Sequence, residues 1–126
     1  MNKRIIRTEK APKPIGPYSQ AVVQNELVFV SGQIAIDPQT GKMIEGGVKE
    51  QTTQVMNNVK AILEAADSSM EKVLKTSIFV SNIDFFSTVS EIYEEFFEKD
   101  FPARETVEVS ALPMNADVEI SVTAGL

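Results

Sequence analysis

Arg104 is the only arginine beyond residue 7, and it directly follows Phe101-Pro102-Ala103. Every other cation after Arg7 is a lysine. A guanidinium is a planar fork that grips a carboxylate through two parallel hydrogen bonds, which an ammonium cannot do. Pro102 stiffens the backbone leading into it. Each charge-assisted hydrogen bond contributes about 1.5–3 kcal/mol, enough to orient a small carboxylate. The ordinary alternative is a solvated loop arginine or a weak surface ion pair. Glu119 falls mid-strand, where glutamate is disfavoured. It is either part of a polar strand face or, if that face lines a cleft, a group that holds or deprotonates a water. Glu108 faces the same two readings. Tyr18, in Ile15-Gly16-Pro17-Tyr18-Ser19-Gln20, is an aromatic hydroxyl delivered by a tight turn, either packed or functional. Ser31-Gly32 ends a strand with a small hydroxyl and a glycine that admits a ligand or forms a bulge.

Composition narrows the chemistry further. The 126 residues contain no cysteine and no histidine. Thiolate catalysis, disulfides, the usual general base and the commonest metal ligands are therefore excluded, and no metal or cofactor is expected. The net charge of −6 comes with scattered lysines and no basic stripe. Nucleic acid is not the expected partner, since phosphate binding needs a clustered positive footprint. Lys3, Arg4 and Arg7 precede no apolar leader segment, and the run at residues 27–30 is far too short to span a bilayer. A cytoplasmic protein with no membrane association is the expectation, as one domain over residues 1–126.

The elements that must position these groups follow from periodicity. A short edge strand is expected at residues 4–8, then an irregular segment punctuated by Pro12, Pro14 and Pro17. Val22-Val23 and residues 27–31 read as a hairpin around Gln24-Asn25-Glu26. Residues 33–36 continue extended to the turn chemistry of Asp37-Pro38-Gln39-Thr40-Gly41. Gly46-Gly47 opens a helix whose stripe is Val48, Val55, Val59, Ile62, Leu63 and Ala66, ending near Asp67-Ser68-Ser69. Residues 74–80 form a strand with Leu74, Thr76, Ile78 and Val80 on one face. Asp84 is expected to cap a second helix whose stripe Phe86, Val89, Tyr93 and Phe97 reads as core. Strands at residues 106–110 and 118–123 complete an α+β sandwich, two helices on one face of a mixed sheet. Glu108, Ser110, Glu119 and Ser121 are expected on the other face, suited to a subunit interface or a wet cleft.

Ile15-Gly16-Pro17-Tyr18-Ser19-Gln20, Ser31-Gly32-Gln33, Phe101-Pro102-Ala103-Arg104, Val107-Glu108-Val109 and Leu112-Pro113 stand in an order and spacing that resembles the RidA (YjgF) family. Asn57-Asn58-Val59-Lys60-Ala61-Ile62-Leu63-Glu64-Ala65-Ala66 and Lys75-Thr76-Ser77-Ile78-Phe79-Val80 are similar to that family's first helix and following strand. The resemblance runs from about residue 11 to residue 124. It implies a homotrimer of chorismate-mutase-like α+β fold with ligand clefts between subunits. It also implies cofactor-independent hydrolysis of 2-enamine and 2-imine acids, such as 2-aminoacrylate and 2-iminopropanoate, to 2-keto acids and ammonia. Such an activity protects PLP enzymes from these intermediates. Carried over by position, Arg104 clamps the substrate carboxylate, Glu119 is associated with the attacking water, Tyr18 lines the cleft as a catalytic residue that shapes the pocket or relays a proton, and Ser31 and Gly32 line the substrate-binding cleft. Thr106 stands where the family usually has Cys, a position whose role falls on its backbone carbonyl, and Ser90 stands where Asn is common. Glu105 replaces a small hydroxyl residue and adds a carboxylate able to compete for Arg104. Members described as translation inhibitors, ribonucleases or chaperone-like proteins supply the competing expectation, a non-catalytic trimeric binder of small ligands.

Overall fold

The sheet is built around a strand that comes last in chain order. In the computed structural model, which describes residues 2–126, eight strands and two α-helices appear. They are β1 (Arg4–Ile6), β2 (Ala21–Gln24), β3 (Leu27–Gln33), β4 (Ile36–Asp37), β5 (Lys42–Met43), α1 (Val48–Ala65), β6 (Val73–Val80), α2 (Phe86–Glu94), β7 (Ala103–Glu108) and β8 (Val118–Gly125). Six strands form one mixed sheet in the order β1-β2-β3-β8-β6-β7, and β4 and β5 make a separate small hairpin. Only β6 and β7 pair in parallel, which a hairpin cannot connect; α2 supplies the crossover.

Alternation along the strands decides what is core. Val118, Ile120, Val122 and Ala124 of β8 are buried, and their partners Val80, Ile78 and Thr76 on β6 are buried beside them. Val28 and Val30 of β3 extend that face, and Val55, Val59, Ile62 and Leu63 of α1 close over it with Val89 and Tyr93 of α2. Each such side chain contributes about 1.5–3 kcal/mol by burial, so one face of the sheet carries most of the stability. The α+β architecture with both helices on one face agrees with the sequence reading.

Several local expectations need correction. Leu74 is 54% exposed and Val73 is buried instead, because the β6–β8 register slips between Val73 and Lys75. That slip moves the inward position back by one residue. Asp84 caps nothing; the Asn82 side chain accepts from the Asp84 N–H at 2.9 Å and starts the 3-10 turn Ile83–Phe85 that leads into α2. β7 begins at Ala103 rather than at residue 106, and Glu108 does not share the outer face. Its register partner is the buried Val80, and its Oε1 accepts from the Ile83 N–H at 2.8 Å. At the end of α1, Asp67 takes a left-handed φ of 62° and Ser68 N–H reaches back to the Leu63 carbonyl, an ending in which glycine is usual.

Buried polar side chains pin the layers. Asn58 of α1 donates to the carbonyls of Ile34 and Ile36 at 3.3 and 3.0 Å, tying the helix to the segment after β3. Gln51 accepts from the Asp117 N–H at 2.9 Å, just before β8. Asn58→Ala should lower stability by about 2 kcal/mol, because buried hydrogen bonds are lost and carbonyls desolvated without replacement. Urea titration reads this as a lower midpoint at constant slope; an unchanged midpoint would show that Asn58 is not a pin.

Candidate active site

Arg104 is the second residue of β7 and pairs with Thr76, so its side chain leaves the sheet on the helix face. There it meets α2. Its Nη1 donates to Ser90 Oγ at 3.2 Å, and the guanidinium carbon lies 5.2 Å from the Phe86 ring centre and 5.3 Å from that of Tyr93. Residues 86, 90 and 93 share one helical face, so a single helix supplies both rings and the hydroxyl. Contacts of this kind contribute about 0.5–1 kcal/mol each at exposed sites and favour a fixed guanidinium plane. Phe86 is 41% exposed. The stripe read as core is therefore core at Val89 and Tyr93, with Phe97 partly buried against them, while Phe86 belongs to the arginine. The signal was available, since Phe86, Ser90 and Tyr93 have the spacing of one cradle. The Tyr93 hydroxyl donates to Thr76 Oγ1 at 3.0 Å. Burial pushes its pKa up, opposed by the Thr76 hydrogen bond and by Arg104.

Among the described residues no carboxylate pairs with Arg104. Glu105, the neighbour able to compete, points to the opposite face. It accepts from Ser77 Oγ at 2.7 Å and lies 3.4 Å from Lys75 Nζ. The Ser77 hydrogen bond, then Lys75, hold its carboxyl below the usual range. Thr106 returns to the helix face opposite Ile78, and its hydroxyl is buried without a hydrogen-bond partner.

Glu119 occupies the outer face. Its cross-strand partner is Phe79, and on the other side lies the bulge of β3. Val30 pairs with Val122 and Gln33 with Ile120, so residues 31 and 32 together oppose the single residue Ser121. Glycine at 32 is thus part of a bulge, one of its two expected roles. Ser31 donates its hydroxyl to the Ser19 carbonyl at 2.6 Å. The Glu119 carboxylate is half-buried and has no hydrogen-bond or ion-pair partner among the described residues. Burial pushes its pKa above the usual carboxylate range.

Tyr18 sits on the irregular strap before β2. Gln20, buried at the end of that strap, accepts from the Thr8 N–H at 2.7 Å and donates to the carbonyls of Thr8, Ala11 and Pro12. Tyr18 is 50% exposed, and its hydroxyl accepts from the Ile15 N–H at 3.2 Å. Its ring, with Arg7, Lys13 and Pro38, borders a cavity of about 790 Å³ that includes neither Arg104 nor Glu119.

The expected residues therefore fall into two groups. Arg104, Ser90 and Thr106 belong to the helix face of β7, with Ser90 touching the guanidinium. Glu119, Gly32, Ser31 and the strap bearing Tyr18 belong to the outer face and the β3 side. Within one chain the guanidinium and the Glu119 carboxylate are on opposite faces of the sheet.

Solved structures share this arrangement of strands and helices. YyfA of Yersinia pestis, described as a member of the conserved Rid protein family, superposes with a TM-score of 0.97 at 48% identity, covering 99% of this chain and 100% of that one. Escherichia coli TdcF, solved with bound serine, gives 0.94 at 38% identity over 98% of both chains. The chain belongs to the Endoribonuclease L-PSP family, the RidA family of the sequence resemblance, whose description matches residues 8–126. Among relatives in sequence, the human 2-iminobutanoate/2-iminopropanoate deaminase is 43% identical over 122 residues, 97% of this chain and 89% of the human one. The family thus includes proteins named imine deaminases. No helix among the described residues is long and apolar enough to cross a membrane.

Because the native state binds the Glu119 proton more tightly than the unfolded chain does, its contribution is most favourable below the ordinary glutamate pKa of about 4.3. It is lost as pH rises through the raised folded value. Glu119→Gln should therefore melt higher than the parent at pH 7, and the advantage should vanish on acidification. A parent that melts above Glu119→Gln at neutral pH would contradict the buried, unpartnered carboxylate.

Proposed function

We propose that the protein hydrolyses 2-imine and 2-enamine acids to 2-keto acids and ammonia, in clefts shared between subunits of a homotrimer. The observation that carries this reading is Arg104, an exposed guanidinium fixed by Ser90 and two aromatic rings and left without a carboxylate of its own. A prearranged fork with a free edge is a receptor for a small carboxylate. The deaminase names among the relatives and the serine held by TdcF support a substrate of amino-acid size.

Chemistry then needs little more than a water and a base. The iminium carbon of the bound substrate is already electrophilic. Glu119 accepts a proton as water adds to that carbon, forming a carbinolamine. The same carboxyl returns the proton to nitrogen; the C–N bond then breaks as the carbinolamine hydroxyl gives its proton back to Glu119, forming the keto carbonyl, and that proton leaves with ammonia as ammonium. A carboxyl whose pKa lies above its ordinary value is better matched to both transfers. Tyr18, Ser31 and Gly32 would line the cleft from the Glu119 side, and Thr106 and Ser90 from the Arg104 side.

The separation of Arg104 and Glu119 to opposite faces supports a cleft assembled from two chains. Outer-face apolar side chains, including Ile5, Leu27, Phe29 and Val107, are exposed in the single chain and suit such a contact.

Two measurements test the reading, with 2-aminoacrylate generated in situ by a PLP-dependent lyase and keto acid followed against a protein-free control. Arg104→Lys should lower kcat/KM by about 10- to 100-fold, the equivalent of one lost charge-assisted hydrogen bond. Parent-like turnover would remove the clamp. Refolding Arg104→Lys and Glu119→Gln chains together should restore about a quarter of parental activity, since random mixing places both intact residues in that share of two-chain sites. A mixture no faster than its separate components would place both residues within one chain's site.

A further inference from the structure

Backbone conformation does not explain the glycine at 32; Gly47 and Gly125 also lie outside the left-handed region, but a Cβ there would meet nothing closer than 3.8 Å. Gly16, Gly41 and Gly46 have φ of 128°, 75° and 121°, which side-chain-bearing residues rarely adopt. Gly32 is not in that left-handed region, so alanine would suit its backbone. An added side chain there would instead displace Glu119. A Cβ at residue 32 would lie 2.7 Å from Glu119 Oε2, 2.9 Å from Cδ and 3.2 Å from Cγ. The Glu119 side chain therefore lies directly across the Gly32 backbone.

The bulge explains how this contact arises. In an unbroken ladder residue 32 would oppose Ile120 and face the helices. With two residues opposite Ser121, Gln33 takes that inward place, is buried, and Gly32 turns toward Glu119. On the other side of β8, the register partner of Glu119 is Phe79. A carboxylate lying across bare backbone is half-desolvated without being fixed by any hydrogen bond among the described residues.

We infer that Gly32 is a positioning residue: the bulge and the missing side chain form a notch that holds the Glu119 carboxylate against the sheet. In the wall of the proposed cleft, the absent side chain of Gly32 acts on the chemistry through Glu119. The kinetic consequence rests on the proposed hydrolysis; the structural coupling does not.

The test compares Gly32→Ala, Glu119→Ala and the double variant with the full-length parent. In thermal melts Gly32→Ala should lower Tm by about 4 °C. The same change in the Glu119→Ala background should cost at most about half as much, because the clashing atoms are gone. If Gly32→Ala does not fold, the double variant should. Equal losses in both backgrounds, or two unfolded variants, would assign the glycine to the bulge backbone and overturn the inference. In turnover assays Gly32→Ala should lower kcat about 10-fold or more through misplacement of the base. Its inhibition by pyruvate should change less than about twofold, since Arg104 is untouched. Equal loss of turnover and pyruvate binding would make Gly32 a substrate contact and overturn it as well. A parent without turnover would sink the hydrolase reading while leaving the melting comparison decisive for the notch.

Discussion

The two-residue repeat of an extended strand governs this molecule. Along β7 it sends Arg104 toward α2 and Glu105 to the outer face, where Lys75 and Ser77 engage it. Adjacent residues of opposite charge are thereby kept apart without any intervening group. The same repeat on β8 buries Ile120 and leaves Glu119 outside. Shifting either strand by one residue would exchange the core for the functional groups, so register is strongly specified by the apolar face. The bulges at residues 31–32 and after Val73 are the places where this repeat is broken, and the first lies beside Glu119.

Carboxamides do much of the remaining alignment. Gln20 ties down the strap that bears Tyr18, Asn58 anchors α1 to the chain after β3, and Gln51 holds the start of β8. Gln20 and Asn58 are neutral and buried, able to donate and accept at once; Gln20 bonds to backbone, and Asn58 donates to backbone while accepting from the Gln54 side chain at 2.9 Å. Gln51 also donates to Asp117 Oδ2 at 3.2 Å, and Ser81 donates to Oδ1 of the same residue. That small network joins α1, β8 and the end of β6 in a chain where histidine and cysteine are absent.

Much of this was legible from residue types. Hydrophobic alternation marked the helix face of β8, turn chemistry marked residues 37–41, and the lone arginine after residue 7 pointed to Arg104. What escaped was three-dimensional bookkeeping by register. A period-two pattern cannot reveal a bulge, so alternation puts Leu74 inward and leaves Gly32 between two roles. Phe86 looked like core because a helical stripe shows which face is apolar and not whether a guanidinium covers its end. Glu108 reads as outward because alternation takes the apolar Val107 as inward, whereas Val107 is 44% exposed and the pairing with Val80 turns Glu108 to the helix face. Asn82 carries no helix-cap signal in the sequence because a 3-10 turn intervenes between it and the α-helix.

The position of β8 has a consequence for how the fold is reached. The strand lies between β3 and β6, with Leu27 opposite Gly125. Until it docks, β3 and β6 have no common neighbour, and the parallel β6–β7 pair is separate from the N-terminal hairpins. Closing that gap joins segments from opposite ends of the sequence, which puts a large loop entropy ahead of any reward. Folding should therefore be slow for a chain of this length, with one late cooperative step. Before that step, β3 presents an apolar, unpaired edge. The interval before β8 arrives is when this protein is most exposed to aggregation, and its acidic net charge is then its chief protection.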